Sequence, residues 1–449
     1  MRVDAWILRF RERAIAISHA RRDTIFVVRP TVRSTVVAAA TIVALWSVTV
    51  AAQGRPKRPA ALIGDPLVKA ALEAAKTSEP QTIDDQIRFC EIPAPTFKEA
   101  ARGEAIRQAF QQLGLRNVRV DKAGNVLGDR PGLSPRPRIV LSAHLDTVFP
   151  EGTDVRVKRE GAVLRGPGIG DDCRGLAVLV GTVRSLRQAN LQTPGTLTFV
   201  ATVGEEGLGD LAGVKQLFRE TLPGEIDEFI SIDGTGLGII NVGVGSLRYR
   251  VRFQGHGGHS FAAFGTASPV SAMGRAIAKI AEFQVPSDPK TTFNVGRVGG
   301  GTSVNSIPAD AWMEVDLRSS SRAALAALDL KLQKAIEAAA LEENNRWRTP
   351  GAVAVVKDRV GDRPVGATAL DAPIIKAVEA VHHVLGLPVA LSESSTDANI
   401  PMSLRIPAIT IGGGGRGTDA HAPTESFDTR EAWRGTQRAL FLVVALAQS

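Results

Sequence analysis

Acidic and histidine residues follow several apolar runs of the chain, at the points where the predicted strands end. His144 and Asp146 follow the run 138–143, Glu205 and Glu206 follow the run 197–203, and Asp233 follows the run 228–232. Asp171 and Asp172 follow a glycine-rich turn, and His421 lies in a loop behind four consecutive glycines. Ligands of open α/β sheets bind at the carboxyl ends of the strands. Histidines and carboxylates gathered there, with almost no cysteine, predict a hydrolytic zinc centre.

A di-zinc hydrolase needs one anionic ligand shared by two metals about 3.5–4 Å apart, with further histidine or carboxylate ligands on each metal. It also needs a carboxylate that is not a ligand and that takes a proton from the attacking water. Glu205 and Glu206 are adjacent at a strand end, where side chains alternate, so that one can bind metal while the other acts as the base. His144 with Asp146 two residues later fits an imidazole that a carboxylate orients.

Each of these fragments also has a structural explanation. A Glu-Glu pair is usually a solvated surface pair, Asp171 beside glycines could belong to an ordinary turn, and a histidine such as His421 is more often a surface residue than a ligand. Most of these residues nevertheless directly follow apolar strands, where a buried charge is costly unless it is paired or metal-bound. This shared position favours a metal centre over separate surface residues.

Three segments resemble the co-catalytic zinc exopeptidases, the family of peptidase T, bacterial glutamate carboxypeptidase, carnosinase-type dipeptidases and aminoacylase. The segments are Ser142-Ala143-His144-Leu145-Asp146-Thr147, Gly166-Pro167-Gly168-Ile169-Gly170-Asp171-Asp172 and Val203-Gly204-Glu205-Glu206-Gly207. They stand in the motif order of the family, and the resemblance covers roughly residues 65–449. One departure concerns the residue after the aspartate pair, where many relatives have lysine and this chain has Cys173. We expect its side chain to pack in the first turn of a helix.

The resemblance implies a role for each residue of this constellation. Glu205 would be the general base that activates a metal-bridging water and then delivers the proton to the leaving amine, and Asp146 would orient His144. The implied cofactor is a pair of zinc ions, with cobalt or manganese as alternatives because the same ligands tolerate several metals. The implied ligands are Asp171 as the bridge between the metals, His144 and Asp233 on one metal, and Glu206 and His421 on the other.

The resemblance also supplies residues on the substrate side. His259 corresponds to a histidine that in the family reaches the active site of the partner subunit and stabilises the oxyanion, so a homodimer is implied. Asn305 and Arg318 match segments that contact the backbone and the carboxylate of the substrate, and Arg318 could bind a carboxylate through two hydrogen bonds. Glu425 is expected to shape the pocket near His421. The structural alternatives are a glycine-rich turn with a surface histidine for His259 and a surface salt bridge for Arg318.

Alternating strands and helices position these residues. Their order predicts an α/β catalytic domain with a mostly parallel central sheet flanked by helices. The stretch 246–360 follows the order βαββαβ, which predicts an inserted ferredoxin-like domain that acts as a lid or in dimerisation. The predicted division is a signal peptide or N-terminal anchor over 1–53, a linker over 54–64, catalytic parts over 65–245 and 361–449, and the inserted domain between them.

The N-terminal segment predicts export. Residues 34–53 carry no charge, follow Arg29 and Arg33, and end in small residues, a pattern typical of a secretory signal peptide. An uncleaved membrane anchor is the alternative, since the length is near the minimum for a span. We therefore expect a periplasmic or secreted protein, which is attached to a membrane only if residues 34–53 are retained.

Charge and cysteine content narrow the remaining possibilities. The net charge of the 449 residues is +8, but eight arginines and only three acidic residues lie in the first 52 residues. The basic excess therefore does not indicate a nucleic-acid partner. Cys90 and Cys173 could form one disulfide in an oxidising compartment. We expect two separate thiols, because nothing in the sequence brings them together.

These observations predict an exported, zinc-dependent exopeptidase that hydrolyses short peptides and is of the aminopeptidase, tripeptidase or dipeptidase type. By the resemblance, aspartate at position 233 accompanies aminopeptidases and dipeptidases, whereas glutamate accompanies carboxypeptidases and aminoacylases. The alternative is an amidohydrolase or carboxypeptidase that acts on N-acyl amino acids with the same metal centre. A non-catalytic peptide-binding protein is less favoured, because Glu205 and the ligand set are complete.

Overall fold

The computed structural model describes residues 59–348 and 353–448. The predicted signal peptide or anchor over 1–53 lies outside the described residues, as do residues 54–58 of the predicted linker. Within the described ranges, no helix is both long enough and apolar enough to cross a membrane.

Strands and helices alternate along the described chain. The strands are β1 Arg116–Val120, β2 Val126–Arg130, β3 Arg138–His144, β4 Lys158–Glu160, β5 Val163–Arg165, β6 Thr196–Thr202, β7 Glu228–Ile232, β8 Ile239–Gly243, β9 Gly245–Gln254, β10 Gly258–His259, β11 Thr291–Gly300, β12 Ser306–Ile307, β13 Asp310–Ser319, β14 Ala354–Arg363, β15 Gly366–Ala367, β16 Leu391–Ser394, β17 Ala408–Ile411, β18 Arg416–Thr418 and β19 Ser426–Asp428. The α-helices are α1 Pro59–Leu62, α2 Pro66–Thr77, α3 Glu79–Cys90, α4 Ala100–Gln112, α5 Cys173–Gln188, α6 Ala212–Gln216, α7 Pro269–Ala281, α8 Arg322–Arg346, α9 Pro373–Leu385, α10 Asn399–Ser403 and α11 Trp433–Leu446.

The largest sheet has the strand order β1-β2-β6-β3-β7-β17-β8-β15, with β16 paired to β8. Its middle strands β6, β3, β7 and β17 run parallel, whereas β1, β2, β15 and the β17–β8 pair add antiparallel contacts at the two sides. Every residue of β6 and β7 is buried, as expected for parallel strands covered on both faces. The predicted α/β class with a parallel centre is confirmed, and the antiparallel edges make the sheet mixed.

Helices cover both faces of this sheet. Along β3, Ile139 and Leu141 belong to the apolar cluster that includes α5 and α11, whereas Val140 between them belongs to a second cluster with Leu217 and Phe218. Side chains of a strand alternate between its two faces, so the two clusters lie on opposite sides of the sheet. Burial on both sides fixes the register of β3 and with it the position of the strand end.

A second sheet, formed by residues 245–363, has the order β11-β13-β9-β14, with all neighbours antiparallel. The helices α7 and α8 pack on one face, where Val251, Met313 and Leu332 form the centre of a separate core. The element order is the predicted βαββαβ, and the strand order is that of a ferredoxin-like fold. We call residues 245–363 the inserted unit, and the exact domain boundaries stay a prediction.

The chain enters and leaves the inserted unit at one place. The side-chain amide of Asn399 donates hydrogen bonds to the backbone oxygens of Val244 and Pro364, each at 2.9 Å. Gly243 packs so closely on Asn399 that a Cβ atom at this glycine would lie 2.8 Å from the side chain. Both connections are therefore held by the same residue.

Candidate metal centre

The predicted ligands converge at the carboxyl ends of the parallel strands. The parallel strands of the sheet end at a common edge, which is where α/β proteins bind ligands. The turn before α5 and the loop after β18 approach the same edge. The residues and their positions are His144 at the end of β3, Glu205 and Glu206 after β6, Asp233 after β7, Asp171 in the turn before α5, and His421 between β18 and β19.

Asp171 stands between two histidines. Nε2 of His144 lies 3.0 Å from Oδ1 of Asp171, and Nε2 of His421 lies 3.0 Å from Oδ2. The same His421 nitrogen is 3.2 Å from Oε1 of Glu206, and ligand atoms of His144, Asp171 and Glu206 all lie within 4.8 Å of one another. The Asp171 carboxylate therefore turns one oxygen to each side of the cluster, which suits a ligand shared by two cations.

Asp233 and Glu205 line the same cavity as this cluster. The cavity has a volume of about 370 Å³, and its lining contains both acidic residues and arginines. The lining residues used below are Asp171, Glu205, Glu206, Asp233, Arg248, Arg318, Arg363, Ser395 and His421. Four of the five predicted ligands and the predicted base thus line one cavity, and the fifth ligand, His144, contacts Asp171.

The electrostatics of the cluster fit divalent cations. Burial, with the negative charge of Asp171, raises the pKa of Asp233 to about 7. Hydrogen bonds to Asp171 and Glu206 raise the pKa of His421 to about 10. Burial would raise the pKa of Asp171, but the hydrogen bonds from His144 and His421 hold it below its usual range. Imidazoles and carboxylates converging in this way are the donor set of zinc, cobalt and manganese, and bound cations would replace the protons that these shifts favour.

One buried carboxylate, Asp146, fixes three residues of the centre. Its Oδ1 accepts the backbone N–H of Glu205 at 3.0 Å, and its Oδ2 accepts the N–H of Glu206 at 2.9 Å and the hydroxyl of Thr96 at 2.9 Å. Oδ1 also lies 3.5 Å from Nδ1 of His144, which is 3.0 Å from the backbone oxygen of Asp146. The predicted contact with His144 is present, and the contacts with both glutamates add to it.

The turn that carries Asp171 is held from the far end of the chain. Oε1 of Glu425 accepts the backbone N–H groups of Gly170 at 2.8 Å and Asp171 at 3.0 Å, and Oε2 accepts that of Gly168 at 2.9 Å. Three amides of one tight turn thus converge on a single carboxylate. The sequence placed Glu425 near the pocket, but its contact with the ligand turn comes from tertiary structure.

Asp172 connects this turn to the neighbouring strand. Its carboxylate accepts the backbone N–H of Gly175 at 3.1 Å, which caps α5, and the backbone N–H of His144 at 3.1 Å. The peptide bond between Asp171 and Asp172 is cis. Cys173, next in the chain, is buried as the first residue of α5, as expected.

Arg363 is a site residue that the sequence did not reveal. It is the last residue of β14 and is buried. Its Nη1 lies 3.0 Å from Oε1 of Glu205 and 3.2 Å from Oγ of Ser395, and its Nη2 donates to the backbone oxygen of Glu205. An arginine on a strand has no local pattern that would distinguish this contact from a surface salt bridge.

The three predicted substrate residues lie at opposite ends of the inserted unit. Arg318 on β13 pairs with Ser246 at the end of β9 near the catalytic sheet, and it lines the metal cavity. His259 and Asn305 are exposed beyond the other end of β9, where the N–H of Ser260 donates to the Asn305 backbone oxygen. The ten residues of β9 span roughly 33 Å. His259 and Asn305 are therefore remote from the metal cavity of their own chain.

Arg318 projects a partly free guanidinium into the cavity. Its Nε donates to Oδ2 of Asp316 at 2.7 Å, and Nε of Arg248 donates to Oδ1 of the same aspartate at 3.1 Å. One carboxylate thus serves two guanidinium groups, and 41% of the Arg318 side chain is exposed. A second cavity of about 260 Å³ adjoins the first through Arg318, with Lys290 and Glu393 among its walls.

Comparisons with known proteins identify the family and agree with this fold. The sequence profile described as peptidase family M20/M25/M40 matches residues 140–444. Carboxypeptidase G2 from Pseudomonas sp. (strain RS-16) is 25% identical over 304 residues, which cover 65% of this chain and 69% of that protein. The chain is thus related in sequence to a peptidase as well as to the family as a whole.

Solved structures share the fold. A tripeptidase from Staphylococcus aureus superposes with a TM-score of 0.68 at 21% identity, covering 83% of this chain and 99% of that one. The YXEP protein from Bacillus subtilis, described as a dinuclear metal binding peptidase, superposes with a TM-score of 0.60 at 19% identity, covering 82% and 98%. At these identities the similarity concerns the fold, and it confirms the predicted architecture.

Proposed function

The chain belongs to peptidase family M20/M25/M40 and is a metal-dependent hydrolase of peptide or amide bonds. From that premise we propose that it is an exopeptidase that acts on short peptides. The observation that carries the proposal is Asp171, whose two carboxylate oxygens each face a histidine nitrogen at 3.0 Å. The residues that would hold two zinc ions are His144, Asp171, Glu206, Asp233 and His421.

Glu205 is the residue we assign to proton transfer. When bound, the metal pair supplies a Lewis acid for the scissile carbonyl and lowers the pKa of the attacking water. Glu206 faces His421 at 3.2 Å, whereas Glu205 lies against Arg363 at 3.0 Å. Glu205 is thereby free of the ligand cluster yet lines the same cavity, which suits a base that accepts a proton and returns it to the leaving nitrogen.

Arg318 supports the exopeptidase assignment. It lines the cavity of the proposed ligands and shares Asp316 with Arg248, so a carboxylate from the substrate would complete the pairing of these two cations. A carboxylate anchored at a fixed distance from the metals selects a terminal residue rather than an internal one. Dipeptides and tripeptides satisfy this requirement.

N-acyl amino acids also place a carboxylate close to the bond that is cleaved. The sequence similarity to carboxypeptidase G2 favours this class as the second candidate. Asp233 at the ligand position favours the first, by the resemblance described above. Both candidates use the same metal ligands, the same base and the same anchor, and they differ in the group on the acyl side of the scissile bond.

A homodimer would complete the site. His259 lies at the tip of the inserted unit, remote from its own metal cavity, and we assign it to the oxyanion in the partner subunit. The neighbouring side chains of Phe261, Phe264 and Val304 are 88%, 80% and 103% exposed. An apolar patch of this kind on a protein surface is typical of an interaction site. Asn305 at the same tip would contact the substrate backbone.

Metal analysis combined with a substrate panel tests the proposal. We expect close to two equivalents of zinc, cobalt or manganese per chain, and faster hydrolysis of dipeptides and tripeptides than of N-acetyl amino acids. Amidation of the terminal carboxylate should slow both classes if Arg318 anchors it. Preferred cleavage of N-acyl amino acids would establish the second candidate, and metal-loaded protein that cleaves neither class would refute both. Export remains a proposal that rests on residues 34–53.

A further inference from the structure

The two cysteines of the chain meet in one buried cluster. The sequence contains only Cys90 and Cys173, and both side chains are fully buried. They share a small core that also contains Ile169 and Phe427. Both are free thiols in the structure, as expected, but they lie in one cluster, which nothing in the sequence indicated.

Both cysteines donate hydrogen bonds to the same backbone turn. Cys90 ends α3, and its Sγ donates to the backbone oxygen of Pro167 at 3.4 Å. Cys173 begins α5, and its backbone N–H donates to the oxygen of Gly168, the next residue, at 3.2 Å. A hydrogen bond with the thiol of Cys173 is the largest influence on the pKa of Cys90, which it raises. Both residues therefore contact the same backbone turn, one from the end of α3 and the other from the start of α5.

We propose that Cys90 and Cys173 form a disulfide bond when the protein folds in the presence of a disulfide oxidant. In the first step, one thiolate attacks a sulfur of an oxidant such as oxidised glutathione, and one glutathione thiol leaves. The second cysteine then displaces the other glutathione from the mixed disulfide. The two electrons and two protons of the protein thiols are recovered in two glutathione thiols. Because both sulfur atoms are buried in the folded chain, the exchange takes place before the core closes.

The bond would close a loop that contains two of the five proposed metal ligands. The segment between the cysteines contains His144, Asp146 and Asp171. The cross-link would join the end of α3 at Cys90 to Cys173, two positions after Asp171. A cross-link that closes a long loop stabilises the folded chain mainly by restricting the unfolded one. The bond itself does not depend on the proposed function, whereas its effect on metal retention does.

Refolding of the full chain in two redox buffers tests the bond. After refolding with reduced and oxidised glutathione, then unfolding in guanidinium under acid, we expect no titratable thiol and a monomer mass about 2 Da below that of protein refolded in dithiothreitol. The Cys90→Ala and Cys173→Ala variants should each keep one titratable thiol after the same treatment. Two titratable thiols in the oxidised sample, or cross-linked dimers instead of monomers, would overturn the proposal.

Thermal melting provides a readout that is independent of turnover. The oxidised protein should melt on the order of 5–10 °C above the reduced protein, and the two redox buffers should give equal melting temperatures for the double alanine variant. Chelator resistance should rise in parallel if Asp171 binds metal. Equal melting temperatures of oxidised and reduced wild-type protein would overturn the stabilising role, and a raised melting temperature without a change in chelator resistance would contradict the metal assignment alone.

Discussion

Replacement of Asp146 by asparagine tests whether one buried carboxylate positions both sides of the metal centre. Both of its oxygens accept hydrogen bonds, from the amides of Glu205 and Glu206 and from the hydroxyl of Thr96. Asparagine preserves the size of the side chain but replaces one oxygen with an NH₂ group. Whichever way the amide is turned, this group points at a backbone N–H that needs an acceptor.

The magnitude follows from the number of bonds affected. A hydrogen bond to a charged group contributes about 1.5–3 kcal/mol, and a buried donor left without a partner costs a similar amount. With one bond lost and the others weakened, we expect a total of roughly 2–4 kcal/mol, divided between folding and metal binding. Loss of a residue that supports a metal ligand typically lowers metal affinity about 10–100-fold.

Chelator competition and urea unfolding of the metal-free protein measure the two parts separately. Thr96→Val removes one of the three bonds and should have a smaller effect on both quantities. Asp154→Asn is the matched control, because Asp154 is 60% exposed and pairs only locally with Arg156. If the Asp146→Asn variant matched the Asp154→Asn variant in metal affinity and in unfolding midpoint, the positioning role of Asp146 would be refuted.

Three further substitutions address the base, the anchor and a buried acid. Glu205→Ala should retain its metal content and lower kcat by about 10²–10⁴-fold, and unchanged turnover would place the base elsewhere. Arg318→Met should raise KM about 10–100-fold for substrates with a free carboxylate and leave amidated substrates unaffected, whereas an equal effect on both would exclude a carboxylate anchor. Burial raises the pKa of Glu228 from 4.5 to about 7. Between these two pH values the folded chain keeps a proton on Glu228 that the unfolded chain has released, so the free energy of unfolding falls as the pH rises. Glu228→Gln should therefore increase the free energy of unfolding by up to about 3 kcal/mol at pH 8 and by little at pH 4, and equal effects at the two pH values in urea titrations would contradict the shift.

The strands that carry the ligands could be predicted because they are buried on both faces. The runs 138–143, 197–203 and 228–232 are continuously apolar or nearly so, and they became β3, β6 and β7 within a residue at each end. Edge strands gave no such signal. β4 consists of three exposed charged residues, and it is a strand only because β5 pairs with it.

The ligands could be predicted from residue type and position, but their supports could not. Histidine and carboxylate side chains at strand ends carry a chemical signature in the sequence itself. Arg363 and Glu425 act through contacts with Glu205 and Asp171 that span more than 150 and 250 positions of the chain. No local pattern marks such a contact, because it depends on how distant segments of the chain pack together in space.

The cysteines illustrate the same limit. Cys90 and Cys173 belong to different helices, and neither stands in a motif with metal or redox spacing. They meet because the end of α3 and the start of α5 pack on the turn 166–168. The distance between two cysteines along the sequence does not show whether they are close in the folded chain.

The hydrogen bonds from Asn399 to both connections of the inserted unit limit how this unit can move. Because both connections are hydrogen-bonded to the same side chain, they cannot bend independently. The unit therefore has a single hinge at Val244 and Pro364. Arg363 is the residue beside that hinge and touches Glu205. A tilt of the smaller sheet would therefore move Arg363 and its contact with Glu205 slightly, and it would move the distant tip that carries His259 much further.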